Sequence, residues 1–323
     1  MSISFDKYNI IITAEWQTNN TFHRKLIYYI YMITADKYYK ERFGHKMYKA
    51  AISLDVTCPN RDGTCGVGGC AFCSEGGSGE FATSGSMSVT KQIDEAIGRL
   101  ASKVSADTGY IAYFQSFTST YCAENYLRAS LLEACEHPGV EAISVATRPD
   151  CLPEGTLDVL EQIARKIPLF VELGLQTSSD EVADGFGRGY PTIVYDEAVG
   201  ALKARGINVI THIILGLPGE SPDMMLGSVR HAVEAGTDGL KLTCLYILKG
   251  TRYEALYKEG EIAVLGREEY FDIVERILMD VPSDMVIHRL TGDGPKRLLI
   301  APMWTSDKRQ VVNYINRRFR DIL

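Results

Sequence analysis

From about residue 50 onward, short apolar or β-branched runs alternate with amphipathic segments every thirty residues or so, which is the rhythm of βα units. The apolar runs predict strands at 51–56, 110–115, 142–147, 169–175, 208–215 and 239–245. Helical periodicity fills the intervals, at 89–103, 123–136, 154–166, 192–205 and 222–235. Turn signals such as His137-Pro138-Gly139 and Arg205-Gly206 end several of them, where glycine accepts the positive φ of a helix C-terminus. Parallel strands joined by right-handed helical crossovers make an α/β partial (β/α)6 barrel, whose reacting groups gather at the C-terminal strand ends. After residue 250 the rhythm loosens into a helix at 267–279, strands near 286–290 and 297–301, and a closing helix from Asp307. The expected organisation is an N-terminal extension over 1–34, the barrel over 35–285 and a closure segment over 286–323. The extension has no clean period, and Met32 is an alternative start.

Composition narrows the class. With 46% apolar and 23% charged residues the chain reads as globular. The longest apolar run, Leu26 to Ile33, is too short for a membrane span and lacks a signal-cleavage pattern, so a cytoplasmic protein without membrane contact is expected. A net charge of -7 speaks against indiscriminate coating of nucleic acid. Two local basic groups remain, Lys37, Lys40, Arg42, Lys46 and Lys49 near the start and Arg317, Arg318 and Arg320 at the end.

The strongest chemical signal follows the first strand: Cys58-Pro-Asn-Arg-Asp-Gly-Thr-Cys65-Gly-Val-Gly-Gly-Cys70-Ala-Phe-Cys73. The 70/73 pair can bite one metal centre, and Gly63, Gly66, Gly68 and Gly69 let the chain curl so that Cys58 returns to the same point. Three thiolates on an iron-sulfur cubane leave one iron open. Zinc, with Cys65 as a fourth ligand, is the competing interpretation. Cys122, Cys135, Cys151 and Cys244 lack paired spacing and read as small buried side chains, with only Cys151 at a strand end.

The loop resembles that of the radical S-adenosylmethionine (SAM) family of small bacterial proteins related to the radical SAM domain of the Elongator catalytic subunit. Five further segments follow in the same order: Tyr113-Phe-Gln-Ser-Phe-Thr118, Ala146-Thr-Arg-Pro-Asp150, Glu172-Leu-Gly-Leu-Gln-Thr177, His212-Ile-Ile-Leu-Gly-Leu-Pro-Gly-Glu220, and Gly239-Leu-Lys-Leu through Lys249-Gly-Thr251. The similarity runs over roughly residues 35 to 305 and departs at Cys65 and in the N-terminal extension. An acetyltransferase domain like that of the Elongator subunit is not expected here, so acetyl transfer is not among the implied activities. The resemblance implies a radical SAM partial barrel, a 4Fe-4S cluster on Cys58, Cys70 and Cys73, bound SAM, and an external electron donor of flavodoxin or ferredoxin type. Reduction would cleave SAM to methionine and a 5′-deoxyadenosyl radical that abstracts hydrogen, with the side chain of a tRNA wobble uridine as the expected substrate. A small metabolite or peptide substrate, or a noncatalytic iron-sulfur or zinc protein, remain the alternatives.

By the same resemblance, Gln115, Ser116 and Thr118 face the SAM amino group, which needs acceptors. Arg148 faces the SAM carboxylate or an anionic substrate, unless it is tied to Asp150 in an ion pair. Glu172 and Gln176 interrupt an apolar strand, where a charge is costly unless paired or used, and are assigned to the ribose or amino group. Gly216 allows backbone approach to the adenine. His212 and Lys241 interrupt strands in the same way, and Lys241 must find a polar cavity or a carboxylate. His288-Arg289 and Lys296-Arg297, flanking Asp293, are candidates for a substrate-facing closure.

Overall fold

The computed structural model describes residues 32–323 apart from 78, 103, 106 and 293, together with three short antiparallel strands at Ser4–Phe5, Ile10–Thr13 and Ile27–Ile30. Most of the extension read over 1–34 therefore falls outside the described residues, as does Asp293, whereas Met32, the alternative start, is described and buried. The barrel strands are β1 (Lys46–Ile52), β2 (Thr108–Phe114), β3 (Val140–Thr147), β4 (Leu169–Gln176), β5 (Asn208–Leu215), β6 (Gly239–Cys244) and β7 (Val286–Arg289). They pair in parallel in chain order, and the edge strand Ile33–Thr34 adds to β7, giving an eight-stranded curled half-barrel. The segment expected to form a separate closure thus begins inside the sheet. Among the described residues no helix is long and apolar enough to cross a membrane.

The helices are α1 (Ala35–Phe43), α2 (Val89–Leu100), α3 (Glu124–Glu136), α4 (Glu154–Ala164), α5 (Asp180–Phe186), α6 (Thr192–Ala204), α7 (Pro222–Ala235), α8 (Arg252–Lys258), α9 (Arg267–Leu278) and α10 (Lys308–Arg318). Their apolar faces cover the outer side of the sheet, where Phe114, Val145, Val171, Leu173, Val209 and Leu242 meet Leu127, Leu160, Leu202 and Val229. Because side chains alternate along a strand, the other face turns inward.

Interior positions fall into layers. Met47, Ile111, Ala142, Phe170 and Ile210 form an apolar floor at the N-terminal strand ends, capped by Tyr39 of α1. That helix starts with the Thr34 hydroxyl accepting from the Lys37 amide, ends at Gly44 in the left-handed region, and so carries the chain from one edge of the open sheet to the other. One step up the strands the layer is polar, with Lys49, Tyr113, Ser144, Glu172, His212 and Lys241. Above it open the cysteine loop and the C-terminal strand ends.

The first strand differs from its expected position at 51–56 and runs Lys46–Ile52. Its two lysines mask the strand in a hydropathy pattern, and the chain leaves the sheet at Ser53, whose amide donates to Gln92 Oε1 at 2.8 Å and whose carbonyl accepts from Gln92 Nε2 at 2.9 Å.

Candidate active site

A cavity of about 640 Å³ fills the barrel from α1 to the cysteine loop, within the usual range of a small-molecule site. Cys58, Cys70 and Cys73 line it. Cys65 does not, and lies with Cys122 and Cys151 on a separate outer recess, its sulfur 3.6 Å from an Arg148 nitrogen.

The loop curls as its glycines require. Gly68 and Gly69 have φ of 81° and 87°, the Gly69 amide donates to the Asn60 carbonyl at 2.8 Å, and the Cys73 amide closes a turn on the Cys70 carbonyl at 2.8 Å. Gly79 sits where a Cβ would lie 2.0 Å from Ser116 Oγ, so the end of the loop packs directly on the end of β2. Burial pushes the Cys70 thiol up to about 12, and it raises Cys73 as well. Buried thiols of this kind ionise when a metal centre supplies the compensating charge. Among the described residues no three His, Cys, Asp or Glu side chains are grouped tightly enough for a single metal ion. Three cysteines spread around one cavity, with the fourth facing elsewhere, fit an open-cornered cluster better than a closed zinc site.

The polar layer is built on Glu172, which is 1% exposed. One carboxylate oxygen accepts from Lys49 and from Ser144 Oγ at 2.6 Å; the other accepts from Lys241 and from His212 Nε2 at 2.7 Å. Both ammonium groups also lie over the Tyr113 ring, at 4.3 Å for Lys49 and 4.7 Å for Lys241. Burial alone would raise the Glu172 carboxyl, but Lys241 and Lys49, with the His212 hydrogen bond, hold it well below the usual range. Burial, reinforced by Lys241, lowers His212 to about 4, so its ring is neutral at physiological pH.

The expected site residues separate accordingly. Gln115, Thr118, Arg148, Glu172, Gln176, His212 and Lys241 all line the cavity. Ser116 does not: it is buried with its hydroxyl 2.5 Å from Ser53 Oγ. Gly216 also lies off the lining, its φ of 87° turning the chain so that Leu265 occupies the Cβ direction. Arg148 makes the ion pair foreseen as the alternative, a two-pronged contact with Asp150 at 2.9 and 2.6 Å, and stacks 4.9 Å from the Tyr190 ring. Gln176 (φ 61°) and Phe117 (φ 53°) hold left-handed backbone conformations that non-glycine residues adopt at a cost, and both face the cavity. His288 and Arg289 line the cavity, whereas Lys296 and Arg297 do not.

Sequence reasoning missed Lys49, Tyr113, Arg61 and Tyr190 as cavity residues. Lys49 was grouped with a surface patch that the structure divides: Lys40 pairs with Asp36 at 2.7 Å, Arg42 reaches Tyr38 at 2.6 Å, and Lys49 turns inward. Its spacing of two from Met47 and Ala51 was the available signal.

A half-barrel of parallel strands with a three-cysteine loop at its mouth defines a class of metal-cofactor enzymes. The model of the Radical SAM superfamily matches residues 58–232, and that of the Radical_SAM C-terminal domain matches 237–321. Protein YtqA of Bacillus subtilis is 39% identical over 288 residues, covering 89% of each chain. The tRNA uridine(34) acetyltransferase of Methanocaldococcus jannaschii is 26% identical over 183 residues, 56% of this chain and 33% of that one. Among solved structures, Methanocaldococcus infernus Elp3 superposes with a TM-score of 0.63 at 16% identity, covering 84% of this chain and 63% of that one. This chain belongs to the Radical SAM superfamily, and its cofactors are the 4Fe-4S cluster and S-adenosylmethionine.

Proposed function

We propose that this enzyme uses the cluster and SAM to modify the side chain of a tRNA wobble uridine, with Cys58, Cys70 and Cys73 as the cluster ligands. When bound, the cluster and SAM supply a one-electron cleavage that yields a carbon radical able to abstract hydrogen. Gln115, Thr118 and Gln176 offer oxygens to the SAM amino group and ribose, while Arg148 is held in its ion pair with Asp150 and shapes the cavity wall. Glu172, His212 and Lys241 stand one layer deeper, where a neutral imidazole and an ion-paired ammonium orient a polar substrate group. The apolar floor and α1 exclude water from below. An external flavodoxin- or ferredoxin-type protein delivers the electron.

The observation that carries this assignment is the shared cavity, lined at one end by the three cysteines and at the other by the Glu172 group. The wobble uridine follows from similarity to the tRNA uridine(34) acetyltransferase over the barrel region. A free small metabolite is the second possibility, favoured by the net charge of -7.

Anaerobic reconstitution followed by dithionite and SAM should yield 5′-deoxyadenosine, and Cys70→Ala should yield none. Activity retained by Cys70→Ala would sink the ligand set. Mass spectrometry of tRNA nucleosides from a deletion strain decides the substrate: loss or precursor build-up at the wobble uridine supports tRNA, and an unchanged nucleoside profile with intact SAM cleavage favours the metabolite.

A further inference from the structure

The stretch between Cys58 and Cys70 carries two side chains aimed at the cysteine sulfurs. Asn60 Nδ2 donates to Cys70 Sγ at 3.3 Å and also to the Gly187 carbonyl. An Arg61 guanidinium nitrogen donates to Cys73 Sγ at 3.3 Å, to the Cys73 carbonyl at 3.4 Å and to the Ser74 carbonyl. Arg61 is also held in shape by its surroundings. Its guanidinium lies 5.4 Å from the Phe117 ring centroid, and its Nε fills the space 3.0 Å from where a Gly69 Cβ would stand.

The charge of Arg61 is unusual in having no carboxylate partner among the described residues; its partners are two carbonyls and a sulfur. The acid that acts on Cys73, Glu80, is hydrogen-bonded to the Ser74 hydroxyl. Guanidinium does not lose its proton in a protein, so a half-buried cation is fixed against one ligand sulfur. Donors and positive charge beside thiolate ligands favour the electron-rich state of an iron-sulfur centre and raise its reduction potential.

We infer that Arg61 is a positioning and redox-tuning residue: its guanidinium seats the Cys73 sulfur and eases the one-electron reduction of the cluster, with Asn60 contributing a weaker, neutral donor at Cys70. The inference rests on the ligand set proposed above. The electron comes from the external donor, and no bond to Arg61 forms or breaks.

The test is an EPR-monitored redox titration of the reconstituted wild type, Arg61→Gln, Arg61→Lys and Asn60→Ala, with iron and sulfide content measured on each. At wild-type iron content, Arg61→Gln should become at least tenfold harder to reduce, which is about 59 mV more negative for a one-electron couple. Arg61→Lys keeps the charge but loses the planar fork, and Asn60→Ala loses a neutral donor; both should shift in the same direction by less. An unmoved midpoint in a fully loaded Arg61→Gln overturns the inference. Where Arg61→Gln retains iron poorly, Arg61→Lys decides, a lowered midpoint supporting the role and a wild-type midpoint overturning it. Wild-type protein that forms no EPR-active cluster would instead sink the ligand set, and the inference with it.

Discussion

Glu172 is the residue on which the barrel interior depends, because two ammonium groups converge on a carboxylate with no solvent exposure of its side chain. Replacing it by Gln keeps the shape and removes the charge. Breaking a buried pair from one side typically costs about 3–5 kcal/mol, since the partner charges stay buried without compensation. Urea unfolding of Glu172→Gln should show a loss of that order, and a loss below about 1 kcal/mol would mean that water already reaches the lysines. His212 gives the same cluster a pH dependence. Its folded value is depressed from 6.5 to about 4, so between those limits the unfolded chain takes up a proton that the folded one refuses. Stability therefore falls as pH drops from 6.5 toward 4, with a limiting slope of about 1.4 kcal/mol per pH unit from this one group. His212→Gln preserves a donor toward Glu172 and should flatten the urea midpoint against pH in that window; an unaltered slope would assign it to His288 or to carboxylates. Glu172, His212 and Lys241 were legible in the sequence as polar breaks in apolar strands. Lys49 and Arg61 were not, because one sits on a strand disguised by its own lysines and the other acts through a loop conformation that spacing does not specify.

At the scale of elements, the cysteine loop depends on a close approach that leaves no space for a methyl group. A Cβ on Gly79 would stand 2.0 Å from Ser116 Oγ and 2.7 Å from its Cβ, both fixed at the end of β2. Gly79→Ala should therefore displace the loop, at a cost of about 1–3 kcal/mol by analogy with overpacked cores. The expected outcome is a reconstituted protein with reduced iron content and near-normal far-UV circular dichroism, and full iron loading would show that the loop can shift without disturbing its cysteines. The elements that sequence revealed well are those with strong periodicity: β5 and α7 run Asn208–Leu215 and Pro222–Ala235 as expected. Those it hid are short or polar. The nine residues of α1 are rich in Lys and Tyr, and α5 and α8 are each seven residues long, too brief for an apolar stripe to stand out. β7 was expected as a strand but not as part of the barrel, because nothing in four residues records which sheet edge they will join.

For the whole molecule, a net charge of -7 opposes the proposed tRNA substrate, yet charge is unevenly placed. Among the described residues lining the cavity, six are Lys or Arg and three are Asp or Glu, a surplus of three positive charges inside an acidic chain. Such a surplus, walled by low-dielectric protein, focuses a positive potential at the mouth while the acidic exterior repels nonspecific nucleic acid. The sheet is open between β1 and the Ile33–Thr34 edge, bridged at its floor by α1, so that under the proposed function a tRNA need insert only one nucleotide. Binding of an anticodon stem-loop should then be salt-dependent but shallow. With about three phosphates neutralised, affinity should fall roughly 20- to 40-fold between about 50 and 200 mM salt. Fluorescence anisotropy across that range measures the slope, and Arg289→Ala, which removes an exposed cation from the cavity wall, should reduce it by close to one phosphate contact. A salt-independent signal, or none at the lowest salt, would leave the cavity's positive charge to a small free substrate and remove tRNA from consideration.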